Sequence, residues 1–125
     1  MSRVCRHASP RHVWLDGAIH PADAPLLTVF DRGFQLGDGV FETLKVVDGK
    51  PFALRRHLAR LATSTSGIGL TMPDTHVLNR AIDETLAANA DRPLGRLRIT
   101  LTGGVAPMGS DRGDAAPTVI VAAGP

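Results

Sequence analysis

The sequence predicts an α+β fold, a mostly antiparallel sheet packed on two helices, and three observations carry that expectation. Two Asp-Gly dipeptides, Asp16-Gly17 and Asp48-Gly49, each lie between short β-prone runs and mark hairpin turns. The middle of the chain holds two stretches with helical spacing of apolar residues. Beyond them, Leu97, Ile99 and Leu101 alternate with Arg98, Thr100 and Thr102, the signature of a half-buried strand. Strands, two helices, then more strands is an α+β order.

Taken in sequence, residues 1–11 read as a flexible N-terminal arm, and residues 12–125 form the domain. Val13-Trp14-Leu15 and Ala18-Ile19-His20 are the first hairpin. Leu26 to Phe30 is strand-like, and Asp31-Arg32-Gly33 reads as a turn whose glycine permits a positive φ. The glycine-flanked segment from Phe34 to Gly39 is too short for a regular element. Val40 to Val47 is strongly β-prone, with Pro51-Phe52-Ala53 as its return strand.

Leu54, Leu58, Leu61 and Ala62 then share one helical face, and that helix stops at Gly67. Asp74 caps a second helix whose buried stripe is Leu78, Ala81, Ile82, Thr85 and Leu86. Thr102 to Ala116 is a glycine-rich loop, long for a compact domain, and loops of that length are usually functional or disordered. Thr118 to Ala123 is the last strand.

The 125 residues suffice for one domain. Apolar residues make up 43% and charged residues 21%, which excludes wholesale disorder and collagen-like repeats. The core must be aliphatic, since the aromatics are Trp14 and four phenylalanines, with no tyrosine. The longest purely apolar run, Val119 to Ala123, falls far short of a membrane span. Arg3, Arg6 and Arg11 precede no apolar signal region, and the lone Cys5 has no internal disulfide partner. These features fit a cytoplasmic protein without a membrane. The charges are dispersed, with no basic stripe and interleaved aromatics, so nucleic acid is not an expected partner.

Several common chemistries are absent from the sequence. Gly103 to Gly109 is not a phosphate-binding Walker loop, and no Gly-x-Ser-x-Gly elbow occurs. The histidines His7, His12, His20, His57 and His76 lack metal-ligand spacing, so no zinc site is expected. Arg112-Gly113-Asp114 matches a cell-adhesion tripeptide, but such short matches arise by chance.

The informative stretch is DRGFQLGDGVFETLKVVDGKPFALRRHLARL, Asp31 to Leu61. Asp-Arg-Gly, then Gly-Asp-Gly-Val-Phe-Glu-Thr, a hairpin, and a helix bearing His-x-x-Arg-Leu occur in that order. This arrangement closely resembles the N-terminal (small) domain of the class-IV, fold type IV, pyridoxal-phosphate enzymes. These include branched-chain and D-amino-acid aminotransferases and aminodeoxychorismate lyase. Gly95 to Val121 is most similar to sequences of the aminodeoxychorismate lyase type. It departs from the D-amino-acid aminotransferase pattern, which has an Arg and a His after the loop proline; Met108 and Ser110 stand there instead.

The resemblance implies pyridoxal 5′-phosphate as cofactor, with Arg60 as its phosphate anchor. A phosphate ester calls for charge-assisted donors, and a helix-borne guanidinium can grip two oxygens at once. On spacing alone, Arg60 reads equally as a solvated arginine on a polar helix face. Phe41 falls where the family lines its substrate pocket, although a place in the sheet core also explains it. Met108 and Arg112 lie in the loop that resembles the family's substrate-closing loop, and Arg98 is a further cation on the polar strand face. All three are carried as substrate-binding residues. Glu42 faces the opposite side of its strand from Phe41, and its role is open.

The Schiff-base lysine of this chemistry has no counterpart here. Lys45 and Lys50 occupy other positions, and the resemblance implies a lysine in a C-terminal domain beyond Pro125. The expectation is therefore the N-terminal domain of a homodimeric enzyme, inactive as 125 residues alone. The intact enzyme is expected to turn 4-amino-4-deoxychorismate into 4-aminobenzoate and pyruvate in folate biosynthesis. Transamination of a branched-chain or other amino acid is the alternative, and a non-catalytic dimerisation or binding module a second.

Overall fold

The computed structural model describes residues 11–109 and 111–125. Residues 1–10 of the expected arm, Cys5 among them, and Ser110 lie outside the described residues. Arg11 is tied down, its carbonyl accepting the Ala22 N–H at 2.7 Å.

The chain runs β1 (His12–Leu15), β2 (Ala18–Pro21), α1 (Arg32–Leu36), β3 (Gly39–Val47), β4 (Lys50–Pro51), α2 (Leu54–Gly67), α3 (Thr75–Ala88), β5 (Arg96–Thr102) and β6 (Thr118–Gly124). The strands form a six-stranded sheet in the order β2-β1-β6-β5-β3-β4, every neighbouring pair antiparallel. The α+β expectation holds. Residues alternate across the pleat, so one face of β3, β5 and β6 presents Leu44, Val46, Leu97, Ile99, Leu101, Val119 and Val121 to the helices. Leu61 of α2 and Leu78 and Ile82 of α3 close over them with almost no exposure, each contributing about 2 kcal/mol by leaving water. Trp14 is the one buried aromatic; its indole N–H donates to Glu84 Oε1 at 3.1 Å. All four phenylalanines remain exposed.

Both helices form where the sequence places them, although Ala62 of the expected α2 face is exposed and Leu86 of the α3 stripe is only partly buried. Asp74 caps α3 through its side chain, which accepts the His76 N–H at 2.7 Å. Three local expectations need correction. Leu26 to Phe30 forms no strand. Thr28 takes the backbone donors itself, its Oγ1 accepting from Phe30 N–H at 2.9 Å and its carbonyl from Asp31 N–H at 3.0 Å. The expected turn at Asp31-Arg32-Gly33 and the first part of the expected irregular segment, Phe34 to Leu36, together form α1, a short helix capped by Asp31 Oδ1 on the Gly33 N–H at 2.8 Å and ended by Gly37 in the left-handed region. Gly33 therefore has no positive φ; it is small because a Cβ there would lie 2.5 Å from Thr102 Cγ2. Finally, the return strand spans only Lys50–Pro51, because Ala53 turns into α2 at φ 56°.

The brevity of β4 matters for function. It pairs with β3 only at Val46 and Val47, so from Gly39 to Thr43 the outer side of β3 is an uncovered sheet edge among the described residues.

Candidate functional site

β3 carries Phe41 and Glu42 at successive positions, and the pleat sends them to opposite faces. Phe41 stands on the open face, 53% exposed. The Arg98 guanidinium lies over its ring, 3.8 Å from the centroid, and Arg98 Nε donates to Thr100 Oγ1 at 3.2 Å. The register explains the meeting: Phe41 pairs with Thr100 and Thr43 with Arg98, so the arginine is a diagonal cross-strand neighbour. The contact holds a flat cation-aromatic surface beside the strand edge.

Glu42 turns the other way, towards α2, and is 5% exposed. Arg60 Nε donates to both of its oxygens, at 3.2 and 2.9 Å. His57, one helical turn before Arg60, places Nδ1 at 2.7 Å from Oε1. Burial would raise the Glu42 pKa, but the hydrogen bonds from Arg60 and His57 outweigh it and hold the carboxyl below its ordinary value. At neutral pH the carboxylate is thus acceptor-only, and His57 Nδ1 must be the donor. Arg60 itself is 70% exposed along its side chain, and its η nitrogens meet no partner among the described residues.

A second carboxylate, Asp38, sits at the start of β3. Arg112 grips it with two bonds, Nε to Oδ2 at 2.9 Å and Nη2 to Oδ1 at 2.7 Å, and Arg32 Nε donates to Oδ2 at 2.8 Å. Arg112 Nη1 also donates to the Gly69 carbonyl at 2.9 Å, and Arg32 Nη1 to the Gly109 carbonyl at 3.1 Å. The Arg112 hydrogen bonds, opposed by burial and aided by Arg32, push the Asp38 pKa down to about 2. These bonds pin the loop after β5 against α1 and the end of α2.

The candidate residues therefore fall into three places. Phe41 and Arg98 are together on the open face. Met108, 75% exposed, and Arg112 line a cavity of about 590 Å³ in the loop, beside Val105 and Asp111. Arg60 stands apart, on the helix-packed side, and the uncovered edge of β3 lies between it and Phe41. Arg112 was expected as a substrate cation, but its guanidinium is engaged on three nitrogens by the protein. Lys45 is exposed on β3, and Lys50 pairs with Val47 in the hairpin. Among the described residues no helix is long and apolar enough to cross a membrane, and no three metal-ligating side chains cluster.

Glu42, His57 and Asp38 were not singled out for these roles in the sequence. Glu42 carried a signal, since alternation along β3 put a carboxylate on the packed face, where it must find donors. His57 and Arg60 carried another, three residues apart on one helix.

Comparison with known proteins completes the picture. The family model described as amino-transferase class IV matches residues 39–125. A bifunctional aminodeoxychorismate lyase / D-amino acid transaminase from Mycobacterium tuberculosis is 37% identical over 117 residues, 90% of this chain and 38% of that protein. A branched-chain aminotransferase from Thermoproteus uzoniensis superposes with a TM-score of 0.79 at 31% identity, covering 92% of this chain and 40% of that one. A hypothetical aminotransferase from Mycobacterium tuberculosis in its PLP-bound form also gives 0.79, at 33% identity, covering 91% and 39%. The chain spans no more than about two fifths of the length of these proteins.

Proposed function

This chain belongs to the amino-transferase class IV family, and from that premise we propose that it forms the phosphate-gripping half of a pyridoxal-phosphate site in a 4-amino-4-deoxychorismate lyase. Class IV aminotransferases depend on pyridoxal phosphate. The residues present fit the cofactor's anionic end: Arg60 offers an unspent guanidinium fork at the rim of a sheet edge. They do not include the amine end, which the proposal assigns to a lysine outside this chain.

When bound, pyridoxal phosphate supplies an aldehyde for the substrate amine and a ring that accepts electrons from the bond being broken. Arg60 would bind the phosphate through its η nitrogens, two parallel charge-assisted bonds that fix position and orientation. The uncovered edge of β3 lets a planar group reach Arg60 from one face and Phe41 from the other. Phe41 would exclude water from the substrate side. Arg98, lying on Phe41, is the cation suited to a substrate carboxylate, because the three guanidinium nitrogens of Arg112 are already bonded to Asp38 and the Gly69 carbonyl. Met108 at the loop tip would give the pocket an apolar wall.

The observation that carries the lyase reading is the likeness to the bifunctional lyase and transaminase along nine tenths of the chain. The substrate amine would be taken up, the enolpyruvyl group would leave as pyruvate, and the ring would aromatise to 4-aminobenzoate, with no other reactant consumed. The likeness to a branched-chain aminotransferase favours a second reading, amino-group transfer to a 2-oxo acid. Full-length protein containing this chain, given 4-amino-4-deoxychorismate and separately amino acids with 2-oxoglutarate, tests both. Aminobenzoate formation supports the first; amino transfer without aminobenzoate replaces it. Pyridoxal phosphate added to the 125-residue chain alone should give no absorbance band of lysine-bound cofactor, whereas the full-length protein should give one.

A further inference from the structure

We infer that Glu42 is a positioning residue that aims Arg60 at the phosphate, an inference that rests on the phosphate role proposed for Arg60. Exposed arginines sample many rotamers, and binding an anion must freeze them. Here a rigid strand supplies a nearly buried carboxylate directly beneath the side chain. Its bonds reach only Nε, at 3.2 and 2.9 Å. The guanidinium is planar, so engagement at Nε fixes the plane while leaving the outer fork, Nη1 and Nη2, for a ligand. The side chain's 70% exposure puts that fork in reach of solvent and of a phosphate.

His57 makes the arrangement rigid from the other side. Its Nδ1–H donates to Glu42 Oε1 at 2.7 Å, so the carboxylate cannot swing away with Arg60. The three groups come from two elements in direct packing, β3 and α2. As a unit, Glu42 and Arg60 are close to neutral. Anion capture then depends on direction rather than on net charge, and a loosely held arginine would not serve equally well.

The test uses inorganic phosphate as probe on the 125-residue chain. Affinity is followed by ³¹P NMR and the exchange rate of the Arg60 Nε–H by ¹⁵N NMR, in the wild type and in Glu42→Gln, Glu42→Asp, Arg60→Ala and the Glu42→Gln/Arg60→Ala double variant. Glu42→Gln should weaken phosphate binding about three- to tenfold, the factor of a weakened single hydrogen bond, and speed Nε–H exchange. Glu42→Asp retains the charge but is one methylene shorter, and should recover the affinity only in part. The double variant should bind no worse than Arg60→Ala alone. If Glu42→Gln does not fold, as judged by thermal melting, Glu42→Asp carries the comparison.

Wild-type affinity in both Glu42 variants, with Arg60→Ala weakened, would overturn the inference and leave the Arg60 assignment standing. Additive losses in the double variant would also overturn it, because Glu42 would then act through some other group. Unchanged binding in Arg60→Ala would remove the phosphate role itself, and the inference with it.

Discussion

Asp38 and Glu42 lie four residues apart at the start of one strand, and each gathers two nitrogen-bearing side chains, yet the two clusters end in opposite states. Around Asp38, Arg112 is engaged on all three guanidinium nitrogens, by the carboxylate and the Gly69 carbonyl, and Arg32 Nε adds a further bond to the same carboxylate. Around Glu42, Arg60 is engaged on one nitrogen and its outer fork faces solvent. The first cluster is a staple that fixes a loop. The second is a mount that holds one guanidinium ready. An ion pair in the sequence motif is not enough to distinguish them; the count of donors left over is.

Breaking the staple should have the larger effect on stability. Asp38→Asn leaves Arg32 and Arg112 without their shared charge and should cost about 3 kcal/mol, read as a shift in chemical denaturation. Hydrogen exchange should rise around residues 105–114. Gly103→Ala attacks the same cluster sterically, because a Cβ at 103 would overlap Asp38 Oδ2. A cost of about 1–3 kcal/mol is expected, in line with other overpacked sites, and wild-type stability would show that the carboxylate has room to move.

pH separates the staple from the rest of the molecule. The Asp38 pKa is about 2 in the fold against an ordinary 3.8. Its stabilisation is therefore fully present well above pH 3.8, shrinks as pH falls below that value, and is gone below about pH 2. Denaturation measured between pH 2 and 6 should show the wild type losing stability more steeply than Asp38→Asn. Parallel curves would contradict the assigned pKa. The smallest stability change is expected at the mount: Arg60→Ala should cost less than Arg112→Ala, since His57 remains on Glu42 and water reaches the vacated position. Arg60→Lys, by contrast, should retain the fold and lose most phosphate affinity, because an ammonium lacks the planar fork.

The same contrast explains what could be read from the sequence. Leu97, Ile99 and Leu101 announced β5 because a half-buried strand must alternate, and Asp74 announced α3 because a helix start needs a side-chain acceptor. α1 carries too few residues to show a period, and only Asp31 and Gly37 flanked it as caps. The apolar run Leu26 to Phe30 read as a strand, but among the described residues no strand pairs with it, and Thr28 competes for its backbone donors locally. At the site, Arg60 was visible only through its motif. The engagement of Arg112 was not visible at all, since its partner Asp38 lies 74 positions away in the chain.

The most direct measurement is a titration of the ¹⁵N-labelled chain with inorganic phosphate, following the arginine Nε–H signals assigned by Arg60→Ala and Arg112→Ala. The Arg60 signal should move in a saturable manner while the Arg112 signal stays in place. Movement at Arg112 with Arg60 unmoved would contradict the assignment of one guanidinium to grip and the other to structure.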